Sequence, residues 1–246
     1  MTLLQVDLSQ AELRTMAALS DDPWMLNALR EGAGDFFDNY MMPICFPNVD
    51  VHNIDKTAKK EFRVKVKTVQ YGLAFGREAK AIAVELGITV REAQAIIDNY
   101  LTTAEKFAEW RVNVKRAATD ETLRDQYLLT PFGRRFQSEI ITHKNKGNIE
   151  REALSFMPQA ISSDICLVTA IRVHPWIKEQ GAHIVALVHD AILVEIPGAD
   201  PAAWTLADII GKRIQSEFRL TGEAVFGDKV PYLSEFSYGR SWGDLL

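Results

Sequence analysis

Apolar and polar positions follow two different periods along the chain, and these predict both strands and helices. Short apolar runs predict strands at Leu3–Val6, Ile184–Val188 and Ile192–Ile196, and the last two are separated by a tight turn at His189-Asp190. Segments with apolar residues three or four positions apart predict amphipathic helices in the long stretch between the first strand and the other two.

Turn and capping residues bound the predicted helices. Thr89-x-x-Glu92 has the spacing of a capping box, and Gly87 separates the two helices on either side of it. The stretch Met41–Val51 contains two prolines and predicts an irregular connection, whereas Leu128–Phe136 predicts a strand, a turn and a second strand. Helices are predicted over Asp21–Glu31, Lys56–Gly76, Glu78–Leu86, Val90–Leu101, Ala104–Thr119 and Ala203–Phe218, and one more from Asn148.

The helix Lys56–Gly76 carries a stripe of two cations and two aromatic rings. Arg63, Lys67, Tyr71 and Phe75 are four positions apart, so they form one slowly drifting row that extends about 18 Å along the axis. Fixed cations suit the anionic tail of a nucleoside triphosphate, and the rings suit its flat base. A basic face exposed to solvent is the alternative for such a row.

Composition and charge narrow the class of protein. The 246 residues are 47% hydrophobic and 25% charged with a formal net charge of −5, which is typical of a globular protein whose nucleic-acid contacts would have to be local. Two distant cysteines indicate neither a disulfide framework nor a zinc site, which fits a reducing cytoplasm. The start has no signal peptide, and the longest apolar run is too short to span a bilayer, so no membrane partner is expected.

One alternative function arises from the predicted pair of helices around Gly87. Its apolar positions Ile82, Leu86, Ile88 and Ile96 could form the core of a helix-turn-helix that binds duplex DNA without catalysis. The second helix has only Arg91 as a basic reader near its start, so this interpretation is the weaker one.

Three motifs resemble those of the family A DNA polymerases, the DNA polymerase I class, in the same order and over nearly the whole chain. The stripe from Arg63 to Gly76 resembles motif B, the nucleotide-gripping helix of the mobile fingers. The octet Asp7–Arg14 resembles motif A, and His189-Asp190-Ala191 resembles motif C. The resemblance implies an α+β fold with an antiparallel palm sheet and packed helices. It also implies a helical fingers subdomain over 35–127 and palm segments over 1–34 and 128–246.

The same resemblance implies the roles of individual residues. Asp7 and Asp190 would bind two Mg²⁺ ions and, with Lys67, carry the catalysis. The backbone carbonyl of Leu8 would complete the metal ligands. The residues expected to contact the incoming deoxynucleoside triphosphate are Arg63, Lys67, Tyr71, Phe75, Gln10 and Glu12, the last as the gate that excludes a ribose 2′-hydroxyl. The residues expected to contact template–primer DNA are Arg134, Arg135, Arg151, Ser155, Gln159 and His189.

Besides Leu8, which replaces a tyrosine that is frequent after the motif A aspartate, four positions depart from the family pattern. Phe37 replaces the histidine of an Asp-x-His motif that helps to hold the triphosphate, and Ala191 replaces a third carboxylate after Asp190. Ser155 is shorter than the usual asparagine, and Phe75 replaces a frequent tyrosine that would hold the gate glutamate. We expect Phe37 to belong to the core, and Ala191 to lower the rate without abolishing it.

The implied activity is template-directed DNA synthesis by a polymerase core. Glu12 as gate favours deoxynucleotides over the ribonucleotides of the related single-subunit RNA polymerases. Family members carry a thumb, and commonly an exonuclease-like domain, upstream of motif A. We therefore expect either a partial sequence or a separate chain that supplies the thumb, as in a split polymerase of viral or phage type acting in the host cytoplasm.

Overall fold

The computed structural model describes residues 1–50 and 53–245 and has the expected α+β fold. Its residues group into two compact units, Met1–Thr15 with Pro158–Leu246 and Met16–Met157. We call the first the sheet unit and the second the helical unit. The strands are β1 (Thr2–Leu8), β2 (His183–Val188), β3 (Ala191–Ile196) and β4 (Ser234–Gly239). The helices are α1 (Ala11–Ser20), α2 (Pro23–Leu29), α3 (Met42–Cys45), α4 (Lys56–Ala74), α5 (Ala79–Leu86), α6 (Val90–Thr103), α7 (Glu105–Thr119), α8 (Glu121–Tyr127), α9 (Lys146–Glu179) and α10 (Pro201–Phe226).

The sheet unit contains one antiparallel sheet with the strand order β2-β3-β1-β4. Along β1 the side chains alternate, so Leu4 and Val6 are fully buried while Asp7 faces the open side of the sheet. β1 pairs with β3 and β4 on its two sides, although both are far away in the sequence. The first strand therefore lies in the centre of the sheet.

Helix α10 covers the buried face of this sheet and anchors the end of β1. It packs against β1, β3 and β4. Tyr232, just before β4, has its ring against Gly222 of α10, and its hydroxyl lies 2.6 Å from the Thr15 hydroxyl of α1. The Thr15 hydroxyl also lies 3.2 Å from that of Ser162 in α9. These buried contacts fix the segment that follows the first strand.

The helical unit is held together by buried aromatic rings and a capping carboxylate. Trp24 and Tyr100 meet edge to face with ring centroids 5.8 Å apart, and Phe107 packs 5.9 Å from Tyr100. Asp22 accepts hydrogen bonds from the backbone N–H groups of Met25 at 2.9 Å and Phe107 at 3.1 Å. The predicted capping box at the start of α6 is confirmed.

Two predicted segments differ from the structure. Leu128–Phe136 forms only one isolated bridge, between Leu129 and Arg135, because its turn is closed by Thr130 and Arg134 and its outer residues have no further strand to pair with among the described residues. Met41–Val51 was predicted to be irregular, yet it begins with α3, because Pro43 can occupy the first turn of a helix. Val51 lies outside the described residues.

Helix α9 is the longest element and is apolar enough to pass a length-and-composition test for a membrane span. The apolar-run argument from the sequence missed it because polar residues interrupt the helix. Of its most apolar window, 56% is buried, as in the core helix of a globular protein. Pro158 and Pro175 lie inside it, and the division between the two units falls at Pro158.

The tight contact between α10 and Tyr232 leads to a stability prediction. In Gly222→Ala, the new methyl group would overlap the Tyr232 ring, so we expect a loss of roughly 1–3 kcal/mol in the free energy of unfolding. In the control Gly147→Ala, the nearest atom to the methyl would be 3.8 Å away, and stability should be unchanged or slightly increased. Urea unfolding of both variants measures this, and equal stabilities would contradict the predicted overlap.

Candidate active site

The sheet brings Asp7 and Asp190 together although they are far apart in the chain. Asp7 is near the end of β1 and pairs with Ala191, the first residue of β3. Asp190 lies in the two-residue turn between β2 and β3, and its carbonyl accepts a hydrogen bond from the Leu8 N–H at 3.3 Å. The two carboxyl groups share a hydrogen bond. This is the proximity that the sequence motifs imply.

Burial and the neighbouring Asp190 make the Asp7 carboxyl group costly to ionise. Partial burial, then the charge of Asp190 and the hydrogen bond to it, raise the pKa of Asp7 from 3.8 to about 6. Burial also raises the pKa of Asp190. A pair of this kind holds a proton most easily when nothing else offsets its negative charge.

Glu235 adds a third negative charge that sequence reasoning missed. It lies on β4 directly opposite Asp7, so Ala191, Asp7 and Glu235 form a row across one face of the sheet. The charge of Glu235 also raises the pKa of Asp7. No sequence signal identifies this residue, because its place in the row depends on the register between β1 and β4.

This donor set fits a divalent cation with oxygen ligands. Mg²⁺ prefers one or two carboxylates and takes its remaining ligands from water and substrate phosphates. Asp7 and Asp190 supply two adjacent carboxylates, and a cation between them would remove their repulsion. Leu8 has a buried side chain, so only its backbone can face such an ion. Within 1–50 and 53–245, no group of three or more His, Cys, Asp or Glu residues could hold an ion alone.

A cavity of about 360 Å³ opens beside Asp190 within the sheet unit. It is lined by Glu12, Gln159, His189 and Asp190, together with two serines of α9. The Gln159 side chain hydrogen-bonds to Glu12 and lowers its pKa, but burial and the charge of Asp190 outweigh this and raise the pKa overall. Two expected DNA or nucleotide contacts, Gln159 and His189, thus share one cavity with the expected gate.

Backbone strain is concentrated beside the two aspartates. Among the described residues, three non-glycine residues have positive φ, and two of them are Gln10 at 58° and His189 at 56°. Two-residue hairpin turns require positive φ, which accounts for His189. Such conformations persist at functional sites because the surrounding structure enforces them.

The predicted stripe is found on α4 in the helical unit. Tyr71 and Phe75 stack with ring centroids 6.2 Å apart, and Phe75 caps the helix. A cavity of about 410 Å³ is lined by Lys67, Tyr71 and Phe75, among others. Gly76 follows with a φ of +78°, and a methyl group there would lie 3.1 Å from the Arg151 side chain of α9. Glycine is therefore required at this position.

The two cations of the stripe differ in their partners. Arg63 donates hydrogen bonds to both carboxylate oxygens of Asp35, at 2.5 and 2.6 Å, and to Asp38 at 2.8 Å. Burial alone would raise the pKa of Asp35, but the hydrogen bonds from Arg63 lower it. Lys67 contacts no carboxylate in the described part of the chain, and its Nζ lies 5.4 Å from the ring centroid of Phe37.

The remaining expected DNA contacts lie on the helical unit. Arg134 and Arg135 follow the turn at Gly133, and Arg135 makes an exposed ion pair with Asp125 at 3.5 Å. Arg151 hydrogen-bonds to Asn148 one turn earlier in α9. The Ser155 hydroxyl donates to the carbonyl of Glu152 at 3.0 Å, so this side chain is engaged within its own helix.

The helix-turn-helix alternative receives no support from the geometry of α5 and α6. The pair does form, with Gly87 in a left-handed conformation between the two helices. However, the exposed side of α6 pairs Thr89 with Glu92 and Gln94 with Asp98, so it presents acidic groups along with Arg91. A helix that reads DNA needs an excess of basic residues.

Comparison with known proteins gives consistent similarities. Residues 1–244 match the family described as DNA polymerase family A. The chain is 27% identical over 243 residues to DNA polymerase I, thermostable, of Thermus filiformis, and 29% identical over 248 residues to DNA polymerase I of Deinococcus radiodurans. A solved structure of the POL domain of Pol1 from M. smegmatis, in complex with DNA primer-template and dNTP, is 27% identical with a TM-score of 0.80.

These similarities cover nearly all of this chain but only part of the relatives. The match includes 98% of the chain and 27% of the Thermus filiformis protein, and 99% and 24% for the Deinococcus radiodurans protein. The whole chain aligns with 40% of the M. smegmatis structure. The chain thus spans about a quarter of the length of the curated relatives it matches.

The raised pKa of Asp7 predicts how stability depends on pH without metal. Because the folded-state pKa, about 6, exceeds the ordinary 3.8, the folded state is favoured below about pH 4 and loses that advantage as the pH rises through 6. Asp7→Asn mimics the protonated group. In EDTA at pH 8 it should raise the melting temperature by about 2–4 °C, and at pH 4 it should have no effect.

Thermal unfolding at the two pH values, with Asp208→Asn on α10 as a matched control, measures this effect. The control removes one carboxylate away from the site. A melting temperature that Asp7→Asn lowers equally at both pH values would contradict the assigned repulsion.

Proposed function

Because the chain belongs to DNA polymerase family A, we propose that it catalyses the template-directed addition of deoxynucleoside triphosphates to a primer 3′ end. The observation that carries this proposal is the hydrogen-bonded pair Asp7–Asp190 at the open edge of the sheet. Two carboxylates from distant segments, placed side by side beside a polar cavity, are what metal-assisted phosphoryl transfer requires of a protein.

Asp7 and Asp190 would hold two Mg²⁺ ions, with the carbonyl of Leu8 as a further oxygen ligand. When bound, the ions supply charge neutralisation at the attacking and leaving oxygens of the displacement. The raised pKa of Asp7 supports this assignment, because burial and then the charge of Asp190 make its ionised form costly, and a bound cation would offset that cost. Phosphoryl transfer otherwise needs positioning rather than covalent chemistry from the protein.

The stripe on α4 would bind the incoming nucleotide. Lys67 and Arg63 would neutralise the triphosphate, while Tyr71 and Phe75, whose rings stack, would contact the base and sugar. Glu12 would crowd a ribose 2′-hydroxyl, with Gln10 nearby in the same turn. The hydrogen bond from Gln159 supports the position of Glu12.

Template–primer DNA is the second proposed partner. Arg134, Arg135 and Arg151 would contact phosphates and the minor-groove side of the duplex, where contacts test shape without reading sequence. Ser155 would contribute less, because its hydroxyl is bonded to its own helix. His189 would lie near the primer terminus. An upstream thumb region or a partner chain would complete the grip on DNA, and the reaction would take place in the cytoplasm.

The proposal is tested by primer extension. With template–primer, four deoxynucleoside triphosphates and MgCl₂, the chain should extend the primer, and Asp190→Asn should reduce the rate roughly 10³-fold. Several kcal/mol of lost charge stabilisation correspond to about that factor.

The matched control is Glu195→Gln, which removes a carboxylate from the same hairpin and should keep the native rate. Asp7 and DNA binding remain intact in Asp190→Asn, so a gel-shift with the same template–primer separates catalysis from binding. Undiminished extension by Asp190→Asn would show that the carboxylate pair does not carry the reaction.

Tyr71 leads to a second expectation about the substrate. Its hydroxyl is expected to replace the hydrogen bond that a dideoxynucleotide lacks, so the native chain should incorporate dideoxynucleotides readily. Tyr71→Phe should raise discrimination against them by about tenfold, the order of one lost hydrogen bond in a desolvated site. Competition between dideoxy and deoxy substrates measures the ratio, with Tyr40→Phe as the control, and equal discrimination in all three proteins would refute this role.

A further inference from the structure

Phe37 occupies an unusual position beneath the nucleotide-binding stripe. The guanidinium carbon of Arg63 lies 5.5 Å from its ring centroid, and the Lys67 ammonium lies 5.4 Å from it. The Tyr71 ring is 6.2 Å away. One side chain, only 1% exposed, thus contacts three of the four stripe residues. Core packing alone, which we expected for Phe37 from the sequence, does not account for two cations at one ring.

The charges around this ring leave Lys67 as the cation without an acidic partner. Asp35 and Asp38 both bind Arg63, and Asp38 also binds Lys59 at 2.9 Å. Two carboxylates therefore face two of the three nearby cations. Within the described residues, the ring of Phe37 is the partner that the structure gives to Lys67.

The local backbone explains why Phe37 can reach these cations. Residues Phe37–Met41 form a π-helical turn, in which the Met42 N–H donates to the carbonyl of Phe37 five residues earlier. Single π-turns are rare in proteins, and those that do occur are often found at functional sites. Asp35 and Asp38 flank the ring on this segment, so the carboxylates and the ring are presented to α4 together.

We propose that Phe37 is a positioning residue for triphosphate binding, whose buried ring holds Lys67 and Arg63 in place by cation–π contact. The inference rests on the proposed function of the stripe. The ring has no group to hydrogen-bond a phosphate, so it acts through the cations. A lysine has a long flexible stem, and fixing its ammonium before the nucleotide arrives lowers the entropy lost on binding.

The test exploits the neighbouring Phe36, a ring that is equally buried but contacts no cation among the described residues. Phe36 packs against Trp24 and Tyr40, meets the Phe37 ring edge to face with centroids 5.6 Å apart, and like Phe37 is 1% exposed. Phe37→Leu should raise the KM for deoxynucleotide about three- to tenfold and change kcat less than twofold, the order expected for desolvated cation–π contacts. Phe36→Leu should lower the melting temperature to a similar extent but leave KM unchanged.

A second series avoids the loss of packing altogether. Fluorinated phenylalanines keep the size of the ring while withdrawing the negative charge from its face. One, two and three fluorines at position 37 should weaken dATP binding stepwise, and the same series at position 36 should leave it flat. A flat series at position 37, or equal KM changes in Phe37→Leu and Phe36→Leu, would overturn the proposal.

The binding measurement also separates this inference from the proposed function. Calorimetric titration of the chain with dATP and MgCl₂ requires no turnover. Binding that follows fluorination without primer extension would support the role of Phe37 and count against polymerisation. Primer extension whose nucleotide binding does not change with fluorination at position 37 would support polymerisation and count against the role of Phe37. A native chain that binds no dATP would overturn the inference.

Discussion

The repulsion between Asp7 and Asp190 is the constraint that the sheet unit has to satisfy. Left free, two carboxylates would separate into water, and the strand register does not allow this. β1 is fixed between β3 and β4, and the hairpin turn holds Asp190 beside it. The positive φ of His189 and the buried hydroxyl contacts of Thr15 are part of the same restraint. The sheet unit thus tolerates a local loss of stability, and in return the two carboxylates stay together where a cation could bind them.

The helical unit also carries charge that its own residues do not balance, but here the excess charge is positive. Three cations of α4 face two carboxylates and one aromatic ring, so positive charge is left over on the stripe. A substrate with a phosphate tail complements this excess, and a divalent cation complements the excess of negative charge in the sheet unit. Neither group of charges is balanced by its own unit, which is typical of sites that are completed by ligands.

The sequence predicted many of the elements and the proximity of the two aspartates, because these depend on local pattern and on short motifs. The apolar run before Asp7, the capping box of Thr89 and the four-residue spacing of Arg63 and Lys67 are all visible in a few neighbouring residues. Contacts set by tertiary packing were not predictable in this way. The sequence indicates that Phe37 belongs to the core, but it does not predict the contacts of its ring with two cations, because no local spacing relates Phe37 to Lys67.

The hairpin at Leu128–Phe136 shows the opposite error. Its turn was predicted correctly, but strands need partners, and a local pattern cannot say whether a partner exists. Helix α9 was underestimated for a related reason. Which of its residues are buried depends on the elements that pack against it. The sequence alone shows only that polar residues such as Arg151 and Gln159 interrupt its apolar residues.

The row formed by Ala191, Asp7 and Glu235 has a consequence for how related proteins are compared. In an antiparallel sheet each residue has a neighbour on either side, and those neighbours come from different parts of the chain. The middle residue can therefore have an acidic neighbour on one flank and none on the other. The acidic neighbour alone still makes the electrostatic potential at the middle residue more negative. The motif around Asp190 shows only Ala191 on one flank of Asp7, whereas the acidic Glu235 on the other flank is visible only across the strands.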